Sequence, residues 1–269
     1  MQALNNIKGD DLKMSKMPVI FVGHGSPMNA IEQNDYTKNW RDIAKRIPKP
    51  NAIISFSAHW FTEGTRIMNE ENPKTIYDMY GFPKELYEIV YNSPGSPEIA
   101  KVSKEAITRK TQYDNSWGID HGTWSVLIHM YPEKDIPLFQ ISVDAYASSE
   151  VHYQIGKQLS TLREEGVLLF GTGNIVHNLR LVDWHMSNKG FDWAYEFDDF
   201  IYENIVNSNY EKIIGYKQFG EAAKLAVPST DHFDPLLYIL GAASEEDKIT
   251  PFNKSCELGS LTMTSYLFE

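Results

Sequence analysis

The stretch Pro18-Val19-Ile20-Phe21-Val22-Gly23-His24-Gly25-Ser26-Pro27-Met28 joins a short apolar run to a turn that begins at a histidine. The apolar run from Pro18 to Gly23 predicts a buried strand, because strands covered by helices on both faces are apolar throughout rather than alternating. His24 follows at once, among glycine, serine and proline, which favour a turn. Ligands of α/β sheets bind beyond the carboxyl ends of strands, so this stretch predicts a central strand and one side of a site.

The same pattern of short apolar runs returns along the chain. Helical patterns lie between the runs, with N-cap residues or proline at several of their starts. Strands that alternate with helices favour an α/β fold. Further strands are predicted at Ala52–Ser57, Pro137–Val143, Val167–Gly171 and Leu261–Leu267, and helices at Ser96–Lys110, Ser148–Glu165, Phe191–Val206 and from Asp234 onward.

These elements predict one α/β domain. We expect a central, largely parallel or mixed sheet covered by helices on both faces, with a metal site at the C-terminal ends of the strands. The sequence contains no internal repeat, low-complexity block or linker rich in proline and glycine. Residues 1–16 are polar and are predicted to form a flexible N-terminal tail, and residues 17–269 the catalytic domain.

Charge and cysteine content argue against several classes of protein. The chain has 25 Lys and Arg against 36 Asp and Glu, a net charge of −11. An acidic surface repels phosphate backbones, so we expect no nucleic acid partner. Cys256 is the one cysteine, which rules out a disulfide within the chain and favours a cytoplasmic protein with an inert thiol. No apolar run approaches the roughly 18 residues of a membrane span, so no membrane partner is expected.

The eight histidines carry most of the functional information. His24, His59 and His177 each follow a predicted strand, where the site of an α/β sheet forms. A lone histidine there is more often a hydrogen-bonded structural residue, but three together favour a site for zinc or iron. Two more, His121 and His232, lie in Asp-His turns. The other three fall in or beside helical patterns and are interpreted as surface or packing residues: His129, His152 and His185.

Other motifs give weaker signals. Gly171-Thr172-Gly173 begins like a dinucleotide-binding loop, but Val176 occupies the place of the third glycine. Ser26 precedes Pro27 and lacks the pattern around a hydrolase nucleophile. The stretch Thr75–Pro83, rich in aromatic and turn residues, fits a substrate-facing loop and ordinary loop packing about equally well.

Five motifs, in this combination and order, resemble class III extradiol dioxygenases of the LigB type, and most closely their 4,5-DOPA extradiol dioxygenase branch. The resemblance runs from about Met17 to the C-terminus. It implies a metal-dependent enzyme that inserts O2 into a catechol-type ring and releases a ring-opened semialdehyde. The motifs are Gly23–Met28, Ser57–Trp60, Asp120–Trp124, Gly173–Arg180 and Asp234–Tyr238.

The resemblance also implies roles for individual histidines. His24 and His59 look like metal ligands, and His232 looks like the third. His177 lies in a motif that is associated with the metal in this branch and with acid/base chemistry in related enzymes. His121 looks like a second acid/base residue.

The metal and the reaction stay open at this point. One divalent ion per chain is implied, with Fe(II) expected for dioxygenase activity, while a site of histidines alone leans toward Zn(II). Asp231 and Asp234 flank His232, and the sequence leaves open whether either reaches the metal. A zinc form would favour a hydrolase that uses metal-activated water, and the third possibility is a non-enzymatic metal-binding interaction protein. The physiological catechol and the oligomeric state do not follow from the sequence.

Overall fold

An eight-stranded mixed sheet forms the centre of the computed structural model, which describes residues 16–269. A two-stranded sheet lies beside it. The strands are β1 (Val19–Gly23), β2 (Ala52–Thr62), β3 (Thr65–Ile67), β4 (Thr111–Tyr113), β5 (Leu138–Asp144), β6 (Val167–Gly173), β7 (Ile249–Phe252), β8 (Cys256–Glu257), β9 (Leu261–Thr262) and β10 (Ser265–Phe268).

The large sheet has the order β4-β3-β5-β2-β6-β1-β10-β7, and β8 pairs with β9. Its four central strands, β5, β2, β6 and β1, are parallel to one another. Antiparallel pairs flank this centre, β10 against β1 on one side and β3 against β5 on the other. Because β6 lies between β1 and β2, the carboxyl ends of these three strands meet at one edge of the sheet.

Helices cover both faces of the sheet. Gly171 in β6 faces a helix, since a Cβ there would lie 2.6 Å from Ile239 Cγ1. The next residue, Thr172, donates a hydrogen bond to Gly122 O of another helix at 2.6 Å. Successive strand residues point to opposite faces, so these two helices lie on opposite sides. The helices are α1 (Asp35–Arg46), α2 (Pro97–Ala106), α3 (His121–Met130), α4 (Ser149–Leu159), α5 (Asp192–Val206), α6 (Tyr210–Ile214), α7 (Glu221–Ala226) and α8 (Asp234–Ala242).

The predicted α/β fold is confirmed, and the core explains it. All residues of β1, β5 and β6 are buried, as the continuous apolar runs predict for strands covered on both faces. α8, which packs on this sheet, is buried along its whole length. The hydrophobic core therefore extends across both faces of the central strands.

Several predicted boundaries are wrong. β2 continues to Thr62 instead of ending at Ser57. The helix predicted to reach Lys110 ends at Ala106, because the chain must turn before β4 pairs with β3 from Thr111. The helix predicted to reach Glu165 is α-helical only to Leu159 and continues as 3-10 turns. The single strand predicted at Leu261–Leu267 is two, since β9 pairs with β8 and β10 with the large sheet.

Most of the predicted N-terminal tail, residues 1–15, lies outside the described residues. Lys16 Nζ lies 4.0 Å from Asp247 Oδ1. Met17 is fully buried, and its N–H donates to Arg163 O at 3.0 Å. Within residues 16–269, every helix is too short or too polar to cross a membrane.

Candidate metal centre

Three imidazoles converge at the carboxyl edge of the sheet. His24, His59 and His232 each present a nitrogen, and these three nitrogens lie within 4.8 Å of one another. The Nε2 atoms of His24 and His59 are 3.2 Å apart. The ring centroid of His232 is 5.3 Å from that of His24 and 5.0 Å from that of His59. Residues from distant parts of the chain thus share one point at the ends of β1, β6 and β2.

His24 is held directly after β1. Its backbone N–H donates to Gly173 O, at the end of β6, at 3.0 Å. Gly25 has φ +62, a left-handed conformation that glycine adopts without strain, and turns the chain away from the sheet. Asn29 Nδ2 donates to His24 O at 3.0 Å. His24 is only 2% exposed, so packing fixes its ring.

His59 lies within β2, not after it as the sequence predicts. The pairing of β2 with β5 shifts register between Ser57 and Phe61, which puts His59 in a β-bulge. Bulges redirect side chains and are frequent beside active sites. The ring packs against the start of α3, where a Cβ on Gly122 would lie 2.8 Å from His59 Cδ2. Glycine at position 122 therefore leaves the space that the imidazole occupies.

His232 comes from the loop that precedes α8. Its carbonyl accepts a hydrogen bond from Asn174 N at 2.9 Å, so the loop lies against the end of β6. A Cβ on Gly173 would lie 2.1 Å from His232 O, an approach that only glycine permits. Asp231 Oδ2 lies 2.6 Å from His232 Nδ1, so this carboxylate supports the imidazole from behind.

The hydrogen bond of His24 defines which of its nitrogens carries the proton. His24 Nδ1 lies 3.0 Å from Thr172 Oγ1. The Thr172 hydroxyl donates its one proton to Gly122 O at 2.6 Å. It therefore accepts from His24 Nδ1, and His24 Nε2 is left with a lone pair that faces the cluster.

His59 and His232 also direct Nδ1 to a hydrogen-bond acceptor, and together the three rings can bind a metal ion. His59 Nδ1 lies 3.1 Å from Asp78 Oδ2, as His232 Nδ1 lies beside Asp231. A carboxylate accepts the Nδ1 proton and leaves Nε2 free, the arrangement found around metal-bound histidines. Three convergent imidazole lone pairs, each with its other nitrogen held by an acceptor, form a donor set for a divalent transition metal.

Burial and mutual proximity keep most of this cluster neutral. Burial lowers the pKa of His24 well below its usual value, and His59 adds to the effect. Burial also lowers the pKa of His232, against the opposing hydrogen bond to Asp231. Burial lowers the pKa of His59 too, but nearby carboxylates, Asp78 foremost, outweigh it and the pKa is raised. Since one Nε2 lone pair takes either a proton or a metal, metal binding at this ring strengthens as pH rises.

His121 lies in the first turn of α3, beside the cluster. Asp120 caps this helix by accepting from Thr123 N. The His121 backbone N–H and Nδ1 lie 3.0 and 2.9 Å from the two oxygens of Asp78. Its ring centroid is 4.0 Å from that of His59. Burial and then the charge of His59 lower its pKa, against the opposing contact with Asp78, so a neutral ring can offer Nε2 to a proton.

His177 stacks on one of the clustered rings. Its ring is parallel to that of His232, with 3.5 Å between centroids and 5° between planes. Its backbone N–H donates to Ala226 O at 2.9 Å. Among the described residues, the three nitrogens that lie within 4.8 Å of one another belong to His24, His59 and His232, and His177 is not part of that group. Burial, followed by the charge of His232, lowers its pKa well below the usual value.

The three histidines interpreted as surface or packing residues lie outside the clustered group among the described residues. His129 is half-buried, and its Nε2 lies 2.7 Å from Asn29 O. His152 is fully buried between α4 and α8, with Nδ1 3.5 Å from Asp234 Oδ2. Asp234 therefore contacts this ring, although in sequence it flanks His232. His185 is exposed.

Sequence reasoning missed two of the supporting residues. Asp78 lies in the stretch Thr75–Pro83, where an acidic residue between aromatics was the available signal. Thr172 lies in Gly171-Thr172-Gly173, where small residues at the end of a strand indicate close approach of other backbone segments. Neither signal names the histidine that the residue contacts, because those contacts depend on the strand order.

An α/β sheet with three clustered histidines at its carboxyl edge is typical of a metal-dependent enzyme. Comparison with known proteins identifies the family. The family model described as the catalytic LigB subunit of aromatic ring-opening dioxygenase matches residues 11–268. The chain therefore belongs to the LigB family of aromatic ring-opening dioxygenases. It is an oxygenase with extradiol dioxygenase function, and the family implies a metal, a small aromatic substrate and O2.

Individual relatives agree with this assignment. A 4,5-DOPA dioxygenase extradiol from Escherichia coli (strain K12) is 40% identical over 264 residues, covering 96% of this chain and 97% of that protein. One from Beta vulgaris is 36% identical over 257 residues, covering 92% and 95%. The crystal structure of an uncharacterized protein from Escherichia coli K12 superposes with a TM-score of 0.82 at 38% identity, covering 94% of this chain and all of that one.

Proposed function

We propose that the enzyme inserts both atoms of O2 into the ring of a 4,5-DOPA-like catechol and releases a ring-opened semialdehyde. The observation that carries this proposal is the convergence of three imidazole nitrogens, from His24, His59 and His232, on rings whose Nδ1 atoms each face a hydrogen-bond acceptor. Relatives named 4,5-DOPA dioxygenase extradiol, which align over most of the chain, support the choice of substrate class.

One Fe(II) ion per chain is the metal in this proposal, held by His24, His59 and His232. Bound iron supplies the redox chemistry that allows O2 to react with a catechol, whereas Zn(II), with a filled d shell, has none. The protein contributes the orientation of the three rings, through Thr172 and the two carboxylates behind them. A buried site also limits access of water to the reacting groups.

Two further histidines serve proton transfer in this proposal. His121 holds its Nδ1 proton on Asp78, so its Nε2 is the base that accepts a proton from a catechol hydroxyl. His177 accepts the proton of the other catechol hydroxyl and returns it as the ring opens. This role for His177 is favoured over that of a fourth ligand, because its ring stacks on His232 instead of joining the group of close nitrogens.

Oxygen uptake by metal-loaded protein tests the proposal. The protein is stripped of metal, loaded with Fe(II) or Zn(II) without oxygen, and mixed with aerated DOPA and a panel of other catechols. The expected result is equimolar consumption of O2 and catechol by the iron form only. An iron-loaded protein that consumes no O2 with any catechol contradicts the proposal, and hydrolysis of esters or amides by the zinc form would support a hydrolase instead.

A further inference from the structure

The carboxylate of Asp78 contacts two imidazoles to which different roles are proposed. Its Oδ2 lies 2.9 Å from His121 Nδ1 and 3.1 Å from His59 Nδ1, and its Oδ1 accepts from the His121 backbone N–H at 3.0 Å. We propose that Asp78 is a positioning residue that holds His59 and His121 in one arrangement. Metal binding and proton transfer would then depend on a single anchor. This inference rests on the function proposed above.

The backbone that precedes Asp78 is fixed to the segment that leads into α3. Ile76 N donates to Ile119 O at 2.9 Å, and Ile119 N donates to Lys74 O at 2.8 Å. Trp124 Nε1, in α3, donates to Ile76 O at 3.0 Å. The loop is thereby tied to the start of α3, where His121 lies. Asp78 is thus held by a rigid frame, as an anchor for two rings requires.

Side chains next to Asp78 also hold the loop. Tyr77 and Met79 pack against the hydrophobic core, and the Tyr77 hydroxyl donates to Ile89 O at 2.6 Å. Tyr80, by contrast, is 92% exposed. Tyr77 and Met79, on either side of Asp78, therefore fix the loop to the core, and the Asp78 carboxylate contacts the imidazoles.

Asp231 offers a matched comparison. Its carboxylate also accepts an Nδ1 proton, that of His232, and the pKa of both carboxyl groups is lowered by their imidazole partners against the effect of burial. Among the described contacts, however, Asp231 lies within ion-pair distance of one imidazole and Asp78 of two. A change at Asp78 should therefore affect two functions, and the same change at Asp231 one.

His59, Asp78 and His121 also lie close enough together to hold a metal ion. We assign no second metal to them, because the Nδ1 atoms of both rings face the same carboxylate oxygen and their protons satisfy it. This hydrogen-bonded arrangement accounts for the closeness of the three groups.

Matched asparagine variants test the anchor. Asn has one acceptor oxygen and one NH2 group, so Asp78→Asn cannot accept from both Nδ1 atoms and from the His121 backbone N–H at the same time. Asp231→Asn makes the same chemical change at a carboxylate that contacts one imidazole. We expect both variants to lose about 10- to 100-fold in Zn(II) affinity, measured by titration calorimetry with the metal alone. At saturating Fe(II), kcat of Asp78→Asn should lie about tenfold or more below that of Asp231→Asn. Equal kcat values for the two variants would overturn the inference.

A double-mutant cycle separates this role from a general structural one. If Asp78 acts on the reaction through His121, then Asp78→Asn should lower kcat at saturating Fe(II) by no more than about twofold in a His121→Ala background. Full additivity of the two losses contradicts the inference. Wild-type protein that consumes no O2 with any catechol contradicts the proposed function instead.

NMR of the imidazole nitrogens tests whether Asp78 holds both rings, without a measurement of catalytic activity. In zinc-loaded wild-type protein, His59 and His121 should each carry a proton on Nδ1. Asp78→Asn should shift the resonances of both rings, while Asp231→Asn should shift those of His232. A wild-type His121 ring protonated on Nε2 overturns the inference whether or not the variants fold, and so does a shift confined to one ring in Asp78→Asn.

Discussion

Two regions of the molecule bring buried histidine and aspartate together, but they do so in different ways. At the carboxyl edge of the sheet, His24, His59 and His232 direct three nitrogens to one point, and their acceptors lie behind them. Between α4 and α8, the single ring of His152 meets the single carboxylate of Asp234 at 3.5 Å. We call these regions the metal cluster and the His152 pair.

The difference between the two regions lies in the free lone pairs. In the metal cluster every Nδ1 has an acceptor, so three Nε2 lone pairs remain for a cation. In the His152 pair, Nε2 lies 3.2 Å from Asp144 O and the ring stacks on Tyr238, with 5.0 Å between centroids. One imidazole surrounded by packing cannot form a multidentate site, so the same residue types give a structural contact there.

The largest effect is expected from breaking the metal cluster. His24→Ala and His59→Ala should each lose most of the bound metal, because two remaining imidazoles hold a divalent ion far more weakly than three. Metal content by elemental analysis, beside circular dichroism to check the fold, measures this. His185→Ala, at an exposed position, is the control and should keep its metal. Stoichiometric metal in both cluster variants would show that the ligands lie elsewhere.

A smaller effect, on rate alone, is expected at the edge of the metal cluster. His121→Ala should keep its metal and lose about 10²- to 10⁴-fold in kcat, since a positioned proton-transfer group is removed. KM for the catechol should change less, because the proton moves only on the way to the transition state. Metal analysis beside steady-state kinetics checks both points. Loss of metal, as in His24→Ala, would make His121 a ligand.

Much of this comparison could be predicted from the sequence. The apolar runs of β1, β5 and β6 predict strands with both faces buried, and the structure agrees. Histidines beside predicted strands, in turns of glycine and small residues, indicate where a site would form. Of the three histidines predicted to follow strands, His24 and His59 join the cluster in the structure, whereas His177 stacks on the ring of His232. His232 itself was expected at the metal only from the resemblance to the family.

The rest depends on tertiary structure that periodicity does not contain. The insertion of β6 between β1 and β2 brings Thr172 to His24, and nothing in the local sequence specifies that order. The bulge that aims His59 appears only when β2 is paired with β5. The contact of Asp78 with two rings joins a loop to α3, so composition could mark the loop as unusual but could not assign its partner.

Asp198 is a buried carboxylate without an imidazole partner within residues 16–269, and it should make the stability of the protein depend on pH. Asp198 in α5 is 3% exposed, its Oδ2 accepts from Thr264 Oγ1 at 2.8 Å, and its Oδ1 has no hydrogen-bond partner among the described residues. Burial raises its pKa to about 6, against the opposing hydrogen bond from Thr264. The folded protein therefore binds this proton more tightly than the unfolded chain, and the unfolding free energy falls as pH rises from about 4 to about 6.

Asp198→Asn should remove that part of the pH dependence. The difference in unfolding free energy between variant and wild type should shift in favour of the variant by up to roughly 3 kcal/mol between pH 4 and pH 7. Urea denaturation at several pH values measures it. Asp199→Asn, at the exposed neighbour that pairs with Lys254, is the control. Parallel curves for Asp198→Asn and wild type would show that the buried carboxyl titrates as in the unfolded chain.

The smallest functional effect is expected from breaking the His152 pair. His152→Gln can keep the hydrogen bond to Asp144 O through its amide, but it loses the contact with Asp234 and the stacking on Tyr238. The unfolding free energy should fall by about 1–3 kcal/mol, while metal content stays stoichiometric and kcat changes by less than about twofold. The test is demanding because Asp234 begins α8 only two residues after His232, so a shift of the helix would reach the metal cluster. His185→Gln, on the surface, supplies the baseline for both measurements. A fall in kcat of more than about tenfold, roughly 1.4 kcal/mol of barrier, would mean that the His152 pair belongs to the working site and that the two regions act as one.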